Sequence, residues 1–304
     1  MREFDLINWI IARHKADPAR VPVGPGDDCA VLNVGGQKLL VTTDQVLDGV
    51  HLHLAQAGPR ACGRKAAARN LSDIAAMAGE PLAMTATLAL PAGFRLEQAQ
   101  EIYFGLCEMG EQFGCPLVGG DLAAWTQAQG PLQISVTMLG LCRQAGPILR
   151  GGAKAGDALC VTGQLGGAWR SGRDLSFVPR VREAQLLAQE YDLHAMIDIT
   201  DGLAADLAHL ARASGLAGRL DAAAIPIHDD ALRGPDPLAW ALHDGEDYEL
   251  LFALPEDQAQ RLLAQQPLPV KVARIGTMLA GEGLTIIRGE REEILQPRGW
   301  EHTT

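Results

Sequence analysis

The chain has few aromatic residues, few cysteines and no long apolar run, and each shortage excludes a class of protein. No segment of the 304 residues approaches the roughly 18 uninterrupted apolar positions of a membrane span. The opening Met-Arg-Glu-Phe-Asp-Leu carries no apolar stretch of the signal-peptide kind, so a cytoplasmic protein is expected. Six cysteines (Cys29, Cys62, Cys107, Cys115, Cys142, Cys160) are scattered without a Cys-x-x-Cys pair. That is the usage of small core residues in a reducing compartment, not of a disulfide framework or a zinc site. Lys and Arg are outnumbered by Asp and Glu, 26 to 37, for a formal net charge of −11, and they form no run. A nucleic-acid backbone is therefore not an expected partner, and an anionic ligand would need cations to mediate. Also absent are Gly-x4-Gly-Lys-Ser/Thr, a Gly-x-Gly-x-x-Gly after a convincing strand, and a Gly-x-Ser-x-Gly elbow; Gly163 to Gly167 is too loose to hold phosphate. His51, His53, His209 and His243 are isolated, as core or surface histidines usually are. Glycine, by contrast, is plentiful at 34 residues, so close backbone approach matters more than stacking.

At this length the chain fits two domains, with the boundary in the Gly/Pro-rich Arg143–Asp157 stretch, giving residues 1–145 and 146–304. An amphipathic helix is expected over 2–15, with Phe4, Leu6, Ile7, Ile10 and Ile11 as its apolar side. The central element is a helix from Pro59 to Gly79, whose Cys62, Ala66, Ala67, Leu71, Ile74, Ala75 and Ala78 recur at helical spacing. Alternating runs predict strands at 82–90 and 132–142, and short apolar runs predict strands at 38–44, 116–121, 157–163, 195–200 and 250–254. Helices are expected near 96–113, 180–190, 203–213 and 255–265, and further strands near 270–278 and 284–288. Interleaved strands and helices indicate a mixed α/β (α+β) fold.

Acids recur at the ends of these runs: Asp27 and Asp28, Asp44, Asp73, Asp121, and Asp198 with Asp201. Turn chemistry alone explains a single Asp beside Gly. It does not explain this many acids after small or hydroxylic residues with no basic residue beside them. Carboxylates collected that way repel one another unless divalent cations join them, and oxygen-only ligands indicate Mg²⁺ or Mn²⁺. The junction Asp198-Ile-Thr-Asp-Gly also opens a helix, whose free N–H groups would suit a phosphate.

Six motifs in order, Gly26-Asp-Asp-Cys-Ala-Val-Leu, Thr42-Thr-Asp, Asn70-Leu-Ser-Asp-Ile-Ala-Ala-Met, Gly119-Gly-Asp, Asp198-Ile-Thr-Asp-Gly-Leu and Gly245-Glu-Asp-Tyr-Glu-Leu, closely resemble the thiamine-monophosphate kinase family. The resemblance implies the two-domain aminoimidazole ribonucleotide synthetase-like fold: an N-terminal α/β metal, ATP and dimerisation domain whose strands form a homodimer, and a C-terminal α/β substrate-binding domain. It implies ATP and thiamine monophosphate as substrates, ADP and thiamine diphosphate as products, and several Mg²⁺ ions, with Mn²⁺ as a substitute. Carried over by position, Asp28, Thr42, Thr43, Asp44, Asp73, Asp121, Asp198 and Asp201 are the implied metal set, with Asp73 and Asp201 at its catalytic heart and no residue as acid or base. Tyr103, Gly120, Arg150 and Thr200 resemble ATP contacts, and His51, Glu246 and Trp300 resemble the thiamine phosphate site. The chain departs from the family at Leu122-Ala-Ala-Trp, where Thr-Thr-Arg is usual, at a shortened Trp169–Arg180 stretch, and at His243-Asp244. The alternatives are another ATP-dependent synthetase of the superfamily and a nucleotide-binding protein that has lost transfer. A hydrogenase-maturation member would carry a terminal reactive Cys where this sequence reads Glu-His-Thr-Thr, and a selenophosphate synthetase an early reactive Cys beside Lys.

Overall fold

A computed structural model describes residues 3–127, 130–143 and 146–300. Two sheets form. The first carries β1 (Ala30–Val34), β2 (Gln37–Leu47), β3 (Glu80–Leu90), β4 (Leu117–Ala124) and β5 (Gln133–Leu141) in the order β1-β2-β5-β3-β4. The second carries β6 (Ala158–Thr162), β7 (Ala195–Asp198), β8 (Ala217–Asp221), β9 (Leu250–Leu254), β10 (Val272–Leu279), β11 (Leu284–Arg288) and β12 (Arg291–Ile294), in the order β12-β11-β8-β10-β6-β9-β7. Both mix parallel and antiparallel pairs, the mixed α/β architecture expected from the interleaved pattern. Among the described residues no helix is long and apolar enough to cross a membrane.

Helix α1 (Glu3–Ile11) stops short of residue 15 and leaves Leu6, Trp9, Ile10 and Ile11 exposed; residue 2 lies outside the described residues. A short α2 (Leu54–Ala57) leads into α3 (Pro59–Ala76), which packs on α4 (Leu96–Glu111), on β2 and β5 of the first sheet, and on β7 of the second. Twelve of the 18 residues of α3 are buried, which explains its alanine content: a helix enclosed between two sheets cannot carry bulk on every side. Its crossing with α4 is close enough that a Cβ on Gly63 would collide with the Ile102 carbonyl, and one on Gly105 with the Arg60 carbonyl. The helix closes through Ala78 in the left-handed region (φ 53°), not through Gly79, whose N–H donates to the Ile74 carbonyl at 2.9 Å.

The second sheet is covered by α6 (Val181–Glu190), following α5 (Ala168–Ser171), and by α7 (Leu203–Ser214); α8 (Asp229–Leu232), α9 (Pro237–His243) and α10 (Glu256–Gln265) complete it. β6, β7 and β9 are buried throughout, which is why they read as short continuous apolar runs. β4 differs. It is the edge strand of the first sheet, seven of its eight residues are exposed, and it runs on through Leu122-Ala-Ala, beyond the expected end at 121.

Candidate active site

Asp28 lies in the loop before β1, Asp73 on the last turns of α3, and Asp198 at the end of β7. Each offers a carboxylate oxygen within 4.8 Å of the others. The packing of α3 against both β2 and β7 makes this meeting. Thr42 Oγ1 donates to Asp73 Oδ2 at 2.5 Å, Ser72 Oγ donates to Asp198 Oδ2 at 2.5 Å, and Arg150 Nη2 donates to Asp28 Oδ1 at 2.6 Å. Burial, then the neighbouring Asp44, Asp198 and Asp28, pushes the Asp73 carboxyl well above the usual range. Burial and then Asp28 push Asp198 up to about 7, while burial and then Asp28 push Asp27 up to about 6. Asp28 Oδ2 is buried without a hydrogen-bond partner. An all-oxygen set with surplus negative charge and an orphaned carboxylate oxygen fits a hard divalent cation.

The expectation that these acids lack basic partners does not hold. Arg150 binds Asp28, and Arg69 binds Asp44 through Nε to Oδ2 at 2.7 Å and Nη2 to Oδ1 at 3.3 Å. The pairing is made by the fold: 122 residues separate Arg150 from Asp28, and 25 separate Arg69 from Asp44. Arg150 also donates its backbone N–H to Asp27, and its Nε is buried without a partner.

Strand alternation sorts the other candidates. Thr42 and Asp44 face α3, whereas Thr43 faces away and meets Thr137 (Oγ1 to Oγ1, 3.1 Å). Asp121 pairs with Thr87, which pairs with Ser135, which pairs with Gln45, so it lies three strands from β2 on the same uncovered face as Thr43. At about 4.8 Å per strand that is about 14 Å, too far for one ion to be shared within a chain. Gly120 is on β4 beside it, and Tyr103 is exposed on α4. Thr200 and Asp201 follow β7 as expected, but their N–H groups and that of Gly202 all donate to the buried Asp206 Oδ2 at 3.1 Å. The anticipated free phosphate-binding amides are thus already taken at these three positions, by an aspartate in the first turn of α7 whose carboxylate folds back over them.

A cavity of about 330 Å³ is lined by His51, Trp169, Arg170, Asp244, Glu246 and Trp300 among others. His51, Glu246 and Trp300, 249 positions apart at the extremes, converge here. His51 Nδ1 accepts the Leu47 N–H at 3.1 Å, which assigns the proton to Nε2 in the neutral ring. Glu246 is held in the left-handed region (φ 60°), its backbone N–H donating to the Thr200 carbonyl at 2.7 Å. Sequence reasoning missed what holds it. Lys65, wholly buried on α3, reaches Glu246 at 2.6 Å, Asp174 at 2.5 Å and the His51 carbonyl at 2.7 Å. The stretch read as shortened supplies three arginines to the same segment: Arg170 on Asp244, Arg173 on Asp247 and Arg180 on Glu249. The only available signal was the chain of basic residues on α3, Arg64, Lys65 and Arg69, at odds with a helix otherwise so buried.

The sequence matches the AIR synthase related protein family, its N-terminal domain over residues 26–142 and its C-terminal domain over residues 169–289. It is 38% identical over 297 residues to a thiamine-monophosphate kinase of Rhodopirellula baltica, covering 93% of this chain and 92% of that protein. It is 34% identical to the Escherichia coli K12 thiamine-monophosphate kinase, over 99% of this chain and 98% of the relative. Among solved structures, one described as AaThiL complexed with AMPPCP and TMP superposes with a TM-score of 0.83 at 29% identity, covering 99% of this chain and 97% of the other.

Proposed function

The chain belongs to the thiamine-monophosphate kinase family, whose activity is ATP-dependent phosphorylation of thiamine monophosphate, and on that premise we propose how its residues divide the work. Asp28, Asp73 and Asp198 would hold magnesium, with Asp44, Thr42 and Asp201 beside them, and an ion there would supply charge neutralisation and orientation for the phosphates. Arg150, anchored on Asp27 and Asp28, holds nucleotide phosphate next to Thr200. His51, Glu246 and Trp300 hold thiamine monophosphate, the indole face suiting the cationic thiazolium and the carboxylate the aminopyrimidine.

The acceptor is a phosphate oxygen whose second ionisation lies near pKa 6, so at neutral pH it attacks without a general base. It forms a bond to the γ-phosphorus while the bond to the β,γ-bridging oxygen breaks, and ADP leaves with that electron pair. The barrier is the approach of two polyanions, and the chain meets it with fixed charge and position rather than with proton transfer. The observation that carries this reading is the convergence of His51, Glu246 and Trp300 on one cavity, joined through Arg69 to Asp44 on the metal side.

Thr43, Gly120, Asp121 and Tyr103 fit this scheme through a homodimer. The exposed edge strand β4, with Val118 64% and Leu122 61% exposed, is unstable as a free surface and suits a second copy. In that arrangement Gly120 and Asp121, both on β4, lie at the seam between the two copies. Residues 1–145 are then the metal, ATP and dimerisation domain and residues 146–304 the substrate domain of a cytoplasmic enzyme. Incubation with ATP, Mg²⁺ and thiamine monophosphate tests the reading through formation of thiamine diphosphate. Absence of product with nucleotide still bound would refute kinase activity and leave a nucleotide-binding protein; a phosphorylated protein species trapped in turnover would refute direct transfer.

A further inference from the structure

Arg69 stands between the two halves of the site. It grips Asp44 through two nitrogens, at 2.7 and 3.3 Å, while its third, Nη1, lies 3.6 Å from Glu246 Oε1 and is buried without a hydrogen bond. Glu246 does not need it, because Lys65 already meets the other oxygen of that carboxylate at 2.6 Å. The guanidinium is therefore hydrogen-bonded to Asp44 alone and has a donor to spare, Nη1, which lies between Asp44, assigned to the metal, and Glu246, assigned to thiamine monophosphate. Its side chain is 13% exposed, so it cannot simply swing into water when Asp44 is claimed by something else. A buried guanidinium stripped of its carboxylate must find another anion, and on the functional reading above the anions brought between these residues are phosphates.

We propose that Arg69 is a phosphate-binding residue of the transfer site, holding Asp44 until a divalent cation takes that carboxylate and then holding the phosphate of thiamine monophosphate with its freed donors. The inference rests on the assignment of Asp44 to the metal and Glu246 to the substrate. It makes metal and substrate binding mutually dependent through one side chain: the cation releases the donors the phosphate needs, and the phosphate keeps the displaced guanidinium from competing for Asp44.

Titration of the substrate-free protein with Mn²⁺, followed by electron paramagnetic resonance, reads the first half. Arg69→Gln is expected to bind Mn²⁺ at least about threefold more tightly than wild type, because no cation then has to be displaced. Calorimetric titration with thiamine monophosphate and with thiamine reads the second half. The variant is expected to lose about tenfold in affinity for the phosphate ester and less than about twofold for thiamine, with Arg69→Lys falling between because it keeps a charge and loses the fork. Unchanged or weaker Mn²⁺ binding in Arg69→Gln overturns the proposal, as does an equal loss for thiamine and its phosphate. Should Arg69→Gln not fold, Arg69→Lys decides alone: tighter Mn²⁺ with weaker phosphate-ester binding upholds it, and wild-type values in both refute it. Failure of the wild type to form thiamine diphosphate would instead refute the functional reading, while the Mn²⁺ comparison would still report on the Arg69–Asp44 pair.

Discussion

Replacing Lys65 by Met should be among the most damaging single changes to this molecule, and the structure says by how much. The ammonium is wholly buried and is shared between Asp174, 3% exposed, and Glu246, 18% exposed, with the His51 carbonyl as third acceptor. Methionine matches the stem in volume, so packing survives and the loss is electrostatic. Removing one partner of a buried ion pair leaves an uncompensated charge and costs about 3–5 kcal/mol. For a chain of this size, at about 2 °C per kcal/mol, the melting temperature should fall by about 6–10 °C. Burial already raises the Asp174 carboxyl even with Lys65 present to lower it. Without Lys65 it rises further, the folded state then binds the proton more tightly than the unfolded one, and stability falls as pH increases through that raised value. The deficit of Lys65→Met should therefore be smaller at pH 5 than at pH 8. Scanning calorimetry at both pH values checks this, with Lys65→Met/Asp174→Asn as the matched double variant, which should recover part of the loss. A fall of under about 2 °C, or a deficit independent of pH and of Asp174, would refute the reasoning.

Asp73→Asn should abolish turnover yet melt higher than wild type in EDTA at pH 8, because it removes one of three repelling buried carboxylates; near-normal activity would refute the metal assignment. Since burial raises Asp73, Asp198 and Asp27 above their unfolded values, metal-free protein should lose stability as pH rises from about 4 through 7, and Mg²⁺ should restore it at pH 8 but not at pH 5, as read from melting curves. Trp300→Ala should raise KM for thiamine monophosphate about tenfold and leave KM for ATP unchanged, the loss of one aromatic face toward a cation; equal changes in both would remove Trp300 from the substrate side. Gly120→Ala should shift the protein toward monomer in sedimentation, because its Cβ would meet the Ala86 carbonyl and buckle β4; an unaltered dimer would deny the edge its role.

Much of this was legible in residue patterns, and what was not has a common cause. The central helix, the alternating strands and the acids at their ends declare themselves locally, through periodicity and through glycine and proline at the boundaries. The meeting of Asp28, Asp73 and Asp198 is consistent with their shared grammar, but their partners are not local. Arg150, which the resemblance implies as an ATP contact, shows nothing locally of its pairing with Asp28, and neither Lys65 nor the arginines of 170–180 show which acids they will meet until the fold carries them there across tens of residues. Asp206 was invisible for the opposite reason: its targets are four to six residues off, yet the loop geometry that aims three amides at one oxygen is not written in composition. The exposure of β4 is not legible in the sequence, where 116–121 reads as a short strand like the others, because an exposed strand and a core strand can share the same apolar pattern.

The segment from Gly245 to Glu249 carries two side-chain-bearing residues, Glu246 and Tyr248, in left-handed backbone, and is fastened by Lys65, Arg173 and Arg180. Tyr248 is further pinned by stacking on Phe177 at 3.8 Å. For anyone seeking to retrain the catalyst on a different acceptor, this divides the cavity into two kinds of wall. Glu246 is welded to its neighbours, and grafting another residue there would disturb a conformation that several distant side chains jointly enforce. Trp169, Asp244 and Trp300 instead sit on the looser rim, partly open to solvent or held by a single arginine, and there a library of substitutions can vary shape and charge without undoing the frame.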